Sequence, residues 1–188
     1  MRPPTGKQPL VVKAERVSDI RAALRLAKEY GLKLVIAGGS EAWMVAPELA
    51  AAKVPVIVQP TQNLPSSFDG LNSRMDSAAL LSAEGVKVLI STMGEPHMVR
   101  TLAQEAGNAV AWGLPHTEAL RAVTQDVAAA FGLEEGRVAP GAPADLVLWN
   151  GDPLEVSSRP VGMWLAGKQV PLTSRQQALL QKYKTLAK

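Results

Sequence analysis

Apolar residues recur along the first ninety positions in two alternating rhythms. Short unbroken runs, LVVKA at 10–14, LKLVIAGG from Leu32, VPVIVQ from Val54 and VKVLIS from Val86, read as strands buried on both faces, as parallel strands are when helices cover them. Between these runs the period lengthens to that of a helix. In DIRAALRLAKEYG, Ile20, Ala23, Leu24 and Ala27 share one face, Ser18 stands where a cap belongs and Gly31 where a left-handed stop belongs. Ser40 is placed to cap EAWMVAPELAAAK, where Pro47 either kinks the helix or starts a second one. A 14-residue loop from Gln59 to Asn72 and a helix near Ser73–Ala83 lead into the fourth run. The strands begin near residues 10, 32, 54 and 86 with a helix between each pair, so the repeating unit is βα.

The pattern changes after Gly113. Thr117 can cap a helix carrying Ala119, Leu120 and Val123, and Thr124 a second that ends at Gly132. RVAPG then reads as a short extended piece and ADLVLWN as a strand stopped by the Asn150-Gly151-Asp152-Pro153 turn. A hairpin around Met163–Val170 turns at Ala166-Gly167-Lys168, and an amphipathic helix, RQQALLQKYKTL, closes the chain. The reading divides the chain into βα repeats at 1–133, a small β portion at 134–172 and a C-terminal helix at 173–188.

Gly113, Ala119, Leu120, Thr124, Gly136, Gly141, Ala144, Asp145, Leu146, Val147 and the Gly151-Asp152-Pro153 turn together resemble the amidohydrolase superfamily, especially its imidazolonepropionase-like members. There the last helices of a barrel run into such a strand and turn. The resemblance extends from Pro9 to about Tyr183 and implies an α/β fold of four βα units, equivalent to strands five to eight of a (β/α)8 barrel. GRVAPG, ADLVLWN and the hairpin would be the C-terminal share of the small β-sandwich that family members build from both chain ends. A whole barrel takes ~250 residues, so this chain is expected to be the C-terminal half only. Half a barrel leaves two strand edges and an apolar inner face open. A homo-oligomer, or a partner chain completing the barrel, is the expected remedy; an ordinary open α/β sheet covered by the C-terminal pieces is the alternative.

Composition narrows the classes. The 20 Lys+Arg against 17 Asp+Glu leave +3, thinly spread, which argues against a nucleic-acid footprint. With no cysteine there is neither a disulfide framework nor a thiolate site. No stretch approaches the ~18 apolar residues of a membrane span, and MRPPTGKQ has no apolar run of a signal peptide, so the expected location is the cytoplasm.

The resemblance also implies chemistry. Family members hold one or two divalent metals through a His-x-His pair on the first strand, histidines at the ends of the fifth and sixth, an Asp at the eighth and sometimes a Lys at the fourth. Metal-bound water then attacks an amide or lactam carbon. In this chain the fifth-strand position offers Lys13 and Glu15, the sixth Ala37, Gly38, Gly39, Ser40 and Glu41, and the eighth Ser91, Thr92 and Met93. None supplies the expected ligand, so no metal or other cofactor is expected here. The implied activity is hydrolysis of C–N bonds, absent or dependent on a missing half; a non-catalytic scaffold on the same fold is the alternative.

The polar residues at the strand ends, Lys13, Glu15, Ser40, Glu41, Gln59, Gln62, Ser91, Thr92 and Glu95, would share one rim. Lys13 and Glu15, two apart on an extended strand, either act as a base and its orienter or form an ordinary salt bridge. His97, in GEPHM beyond the fourth strand, is either a general acid/base with Glu95 or a solvated residue opening a helix. His116 reads as surface. Gly38-Gly39-Ser40 could cradle an anion or simply make a tight turn. The loop 59–72 is long for a βα connection and could cover substrate, with Leu64 and Phe68 as apolar contacts. Trp43, Trp112, Trp149 and Trp164 are most simply core or interface residues.

Overall fold

The chain divides into two compact units, Met1–Arg137 and Val138–Lys188, and the computed structural model describes residues 8–94, 96–133 and 136–184. In the first unit β1 (Leu10–Ala14), β2 (Leu34–Gly38), β3 (Val56–Val58) and β4 (Val88–Ile90) form one parallel sheet. Its order is β1-β2-β3-β4, so each strand lies beside the next one in sequence. The fold is α/β, and the strands stand where the unbroken Val, Ile and Leu runs predict them.

The two faces of the sheet are covered differently. Ile36, Val56 and Val58, with Ile20 of α1 (Val17–Tyr30), Leu49 of α2 (Ala46–Ala51) and Leu81 of α3 (Ser77–Ala83), are at most 1% exposed and form the core between sheet and connecting helices. Each such side chain contributes ~1.5–3 kcal/mol by leaving water. Lys13, Ala37, Ile57 and Leu89 form one cross-strand row, which the two-residue period turns the other way. There Ile57 and Leu89 share an apolar cavity of about 330 Å³ with Val123, Val127 and Phe131. After α4 (Leu102–Ala111), the short α5 (His116–Ala122) and α6 (Gln125–Phe131) thus carry apolar side chains to the face opposite the connecting helices. Val11, on the edge strand β1, stays 43% exposed. The core is aliphatic: Trp43 is half-buried and Trp112 exposed, so neither is the core residue expected from its type.

Several helix ends differ from expectation. Ser18 lies inside α1, which begins at Val17; no side chain of the N-cap residue Arg16 caps it. Instead the Val17 N–H donates to Glu41 Oε2 at 2.8 Å, so a carboxylate 24 residues away satisfies an end that sequence assigns to a local serine. Gly31 does stop the helix in the left-handed conformation, φ 63°. Ser40 caps nothing; its hydroxyl donates to Glu15. Past it a 3-10 turn at Ala42–Val45 precedes α2, with Pro47 in the first turn of a separate helix. Thr117 falls inside α5, whereas Thr124 is the N-cap of α6 by position, its hydroxyl donating to Leu120 O at 2.6 Å, and Gly132 ends α6 at φ 75°.

The second unit is a small antiparallel sheet, β5 (Leu146–Trp149), β6 (Pro160–Leu165) and β7 (Lys168–Gln169), in that order. Ala166 and Gly167 make the β6–β7 turn with φ 48° and 77°, the positive pair that tight hairpins need. RVAPG forms no strand. Between β5 and β6, Asp152 Oδ1 accepts the Leu154 N–H at 2.9 Å and Asn150 Oδ1 the Arg159 N–H at 2.8 Å. Ser174 and Gln177 exchange bonds of 2.9 and 3.2 Å as a capping box for α7 (Arg175–Lys184), which buries none of its residues. No helix among the described residues is long and apolar enough to cross a membrane.

Candidate functional site

The carboxyl ends of the four parallel strands bring most of the polar rim together. Lys13 near the end of β1 and Glu15 just beyond it, Ser40 beyond β2, and Gln59 and Gln62 beyond β3 line one polar cleft of about 370 Å³. The loop 59–72 adds to its wall through Asn63, Leu64, Ser66, Ser67 and Asp69, and Met93 beyond β4 closes it. That loop is braced by two 3-10 turns, Pro60–Gln62 and Phe68–Gly70. Of its expected apolar contacts Leu64 lines the cleft, whereas Phe68 is 87% exposed and does not.

Glu15 is fixed from β2. Its Oε2 accepts the Ser40 N–H at 3.0 Å and the Ser40 hydroxyl at 2.7 Å. Gly38, at φ 91°, makes room: a Cβ there would lie 2.2 Å from Glu15 Oε1. The Gly-Gly-Ser turn therefore cradles a carboxylate of this chain rather than a free anion. Lys13 forms no ion pair among the described residues. The salt bridge with Glu15 that their spacing suggests is not made.

Glu41 serves structure. Besides the Val17 N–H, it accepts the Asn72 side-chain amide at 2.7 Å. The Val17 and Asn72 hydrogen bonds hold its pKa below the ordinary carboxylate value, against the opposing pull of partial burial, and Arg16 adds attraction. Asn72 O in turn accepts Trp43 Nε1–H at 3.0 Å, with the Arg74 guanidinium 4.9 Å from the Trp43 ring centroid. Arg16 also pairs with Asp69.

The fourth strand contributes less. Ser91 and Thr92 line the apolar cavity of Ile57 and Leu89, apart from the polar cleft, and Ser91 Oγ accepts the Met93 N–H at 3.2 Å. His97 is exposed on the 3-10 turn Pro96–Thr101. Glu95, its suggested partner, lies outside the described residues.

One residue was not singled out by sequence. Glu105 on α4 is 1% exposed and holds the β3 strand end: its Oε2 accepts the Thr61 N–H at 2.9 Å, and its Oε1 accepts the Thr61 hydroxyl at 2.7 Å and the Gln59 amide at 3.3 Å. The signal was its position, one before Ala106 and four before Ala109 on the buried face of LAQEAGNAVA.

Comparison with known proteins finds likenesses to amidohydrolases. The amidohydrolase family model matches residues 100–171. Amidohydrolase tasK of Hapsidospora irregularis is 38% identical over 123 residues, 60% of this chain and 12% of that one. The crystal structure of the amidohydrolase from Thermotoga maritima MSB8 is 31% identical and superposes over 87% of this chain and 43% of that one, with a TM-score of 0.79. In sequence and in fold the chain is similar to amidohydrolases. It spans less than half the length of the amidohydrolases it matches. A β-aspartyl dipeptidase from Fervidobacterium islandicum AW-1, 17% identical at a TM-score of 0.59, shares the fold.

The divalent metal that the amidohydrolase resemblance implies finds no fitting donors. Lys13, an ammonium, Gly38-Gly39, and Ser91-Thr92 stand at the strand ends where ligands belong. No three His, Asp or Glu side chains among the described residues converge as a metal group would require. Of the carboxylates at the strand ends, Glu15 already binds Ser40 and Glu41 binds Val17 and Asn72.

Proposed function

We propose that this chain is the C-terminal half of an amidohydrolase-like (β/α)8 barrel, with β1–β4 equivalent to strands five to eight and the second unit the C-terminal share of the small β-sandwich. In this reading it takes part in hydrolysing C–N bonds only when the other half is present, as a partner chain or as the rest of a longer one. The sequential parallel order β1-β2-β3-β4 carries the reading. A barrel segment has that order and ends on two open edges, whereas a doubly wound sheet reverses direction at a switch point. The test is hydrolysis of amide and lactam substrates by the purified chain, alone and co-expressed with a family N-terminal half bearing the His-x-His strand. Turnover by the pair and none by the chain alone is the expected result. Activity of the chain alone that survives a chelator and is lost in Lys13→Ala or His97→Ala would replace this reading with a metal-free enzyme.

The unfitting strand-end residues favour a second reading, a non-catalytic scaffold that oligomerises through its open edges. It predicts a multimer by light scattering, no metal in the co-expressed pair by mass spectrometry and no turnover. A monomeric chain at micromolar concentration counts against it.

A further inference from the structure

We propose that the polar cleft at the strand ends binds a small zwitterion, an α-amino acid or a group built like one, with its carboxylate on Lys13 and its ammonium on Glu15. This rests on reading the strand ends as the substrate-binding rim and adds the class of molecule they select.

Opposite charges two residues apart on a strand lie on one face and are within reach of an ion pair. Lys13 and Glu15 line the same cleft yet do not pair. The reason is built in: the Ser40 N–H and hydroxyl both hold Glu15 Oε2, and the missing side chain of Gly38 lets the carboxylate lie against the β2 backbone. Glu15 Oε1 accepts no hydrogen bond among the described residues, and Lys13, exposed on the edge strand, has no carboxylate partner there. The Cα atoms of residues 13 and 15 are ~6.6 Å apart on an extended strand. An ammonium donor and a carboxylate acceptor therefore stand unpaired with each other along one cleft, the complement of an amino-acid head group.

Leu64, 57% exposed in the wall of the same cleft, offers apolar surface to the ligand's side chain.

The test is a 15N NMR titration of the full chain with L-leucine, N-acetyl-L-leucine and L-leucinamide, reading the Ser40 backbone amide and the Asn63 side-chain amide. L-leucine should shift both and bind at least about tenfold more tightly than either singly charged derivative, the scale of one charge-assisted hydrogen bond. Lys13→Met should remove the preference over L-leucinamide and Lys13→Arg restore it; Glu15→Gln, which can still accept from Ser40, should remove the preference over N-acetyl-L-leucine. Equal binding of all three at these resonances would overturn the zwitterion while leaving the cleft a substrate site. No saturable shift there with any of them would overturn both.

Discussion

Glu105 holds Thr61 by both its backbone and its side chain: the N–H donates to Oε2 at 2.9 Å and the hydroxyl to Oε1 at 2.7 Å. The contact joins α4 to the end of β3, and so fixes where the cleft loop departs from the sheet. Glu105→Leu strands a peptide N–H and a hydroxyl in a site 1% exposed, costing about 2–4 kcal/mol of unfolding free energy. Glu105→Gln keeps one acceptor and should cost about half as much. Urea denaturation of the two variants checks the ratio, and a cleft loop rigid without this tie would leave both near wild type.

Gly38 and Glu15 are matched by size. With φ 91° and Glu15 Oε1 2.2 Å from where a Cβ would stand, Gly38→Ala both strains the backbone and expels the carboxylate from Ser40. A loss of about 1–3 kcal/mol is expected, together with a shifted Ser40 amide resonance. Gly31→Ala, left-handed but with open space around it, separates the two effects: it should cost about 1 kcal/mol and leave the Ser40 resonance unmoved.

Acid should loosen the cap of α1. The folded pKa of Glu41 lies below its ordinary 4.5, first through the Val17 N–H and then through Asn72. A lowered folded pKa gives stability that is present above the unfolded value and lost as pH falls through the folded one. Melting temperature should therefore decline as pH drops below about 4.5, and Glu41→Gln should flatten part of that decline. Glu48, exposed, and Asp76, half-buried, lowered by Arg21 and Arg74, act in the same direction, so the remainder should weaken in high salt.

Leu49 of α2 is fully buried at 0% exposure in a core without large aromatics to collapse into its space. Leu49→Ala should cost about 2–5 kcal/mol in urea denaturation, whereas Leu26→Ala, 53% exposed on α1, should stay within about 0.5 kcal/mol.

These relationships also mark what sequence can and cannot say. The strands were legible because Val, Ile and Leu in unbroken runs have one physical explanation, burial on two faces, and the Gly31 and Gly132 stops because only a left-handed residue ends a helix that way. The caps at Ser18, Ser40 and Thr117 misled because local rules compare a residue with its neighbours, whereas the group that satisfies Val17 comes from Glu41 of the next βα unit. The cleft was half legible. Strand-end position collected Lys13, Glu15, Ser40, Gln59 and Gln62, but whether Lys13 meets Glu15 depends on Ser40 and on the empty side of Gly38, which no spacing encodes. Glu105 went unnoticed since a glutamate on an alanine-rich helix reads as solvated until its partner at Thr61 is known.

Neighbours in the sheet are also neighbours in time. Because each of β2 to β4 pairs with the strand made just before it, each of them leaving the ribosome meets a template already standing, and none of these pairings must wait for a distant segment. Such a chain can grow into its fold one unit after another, with loop closures of similar and modest entropy at each step. Interrupting synthesis after β2 or β3 would then leave a shorter sheet of the same kind rather than a different structure.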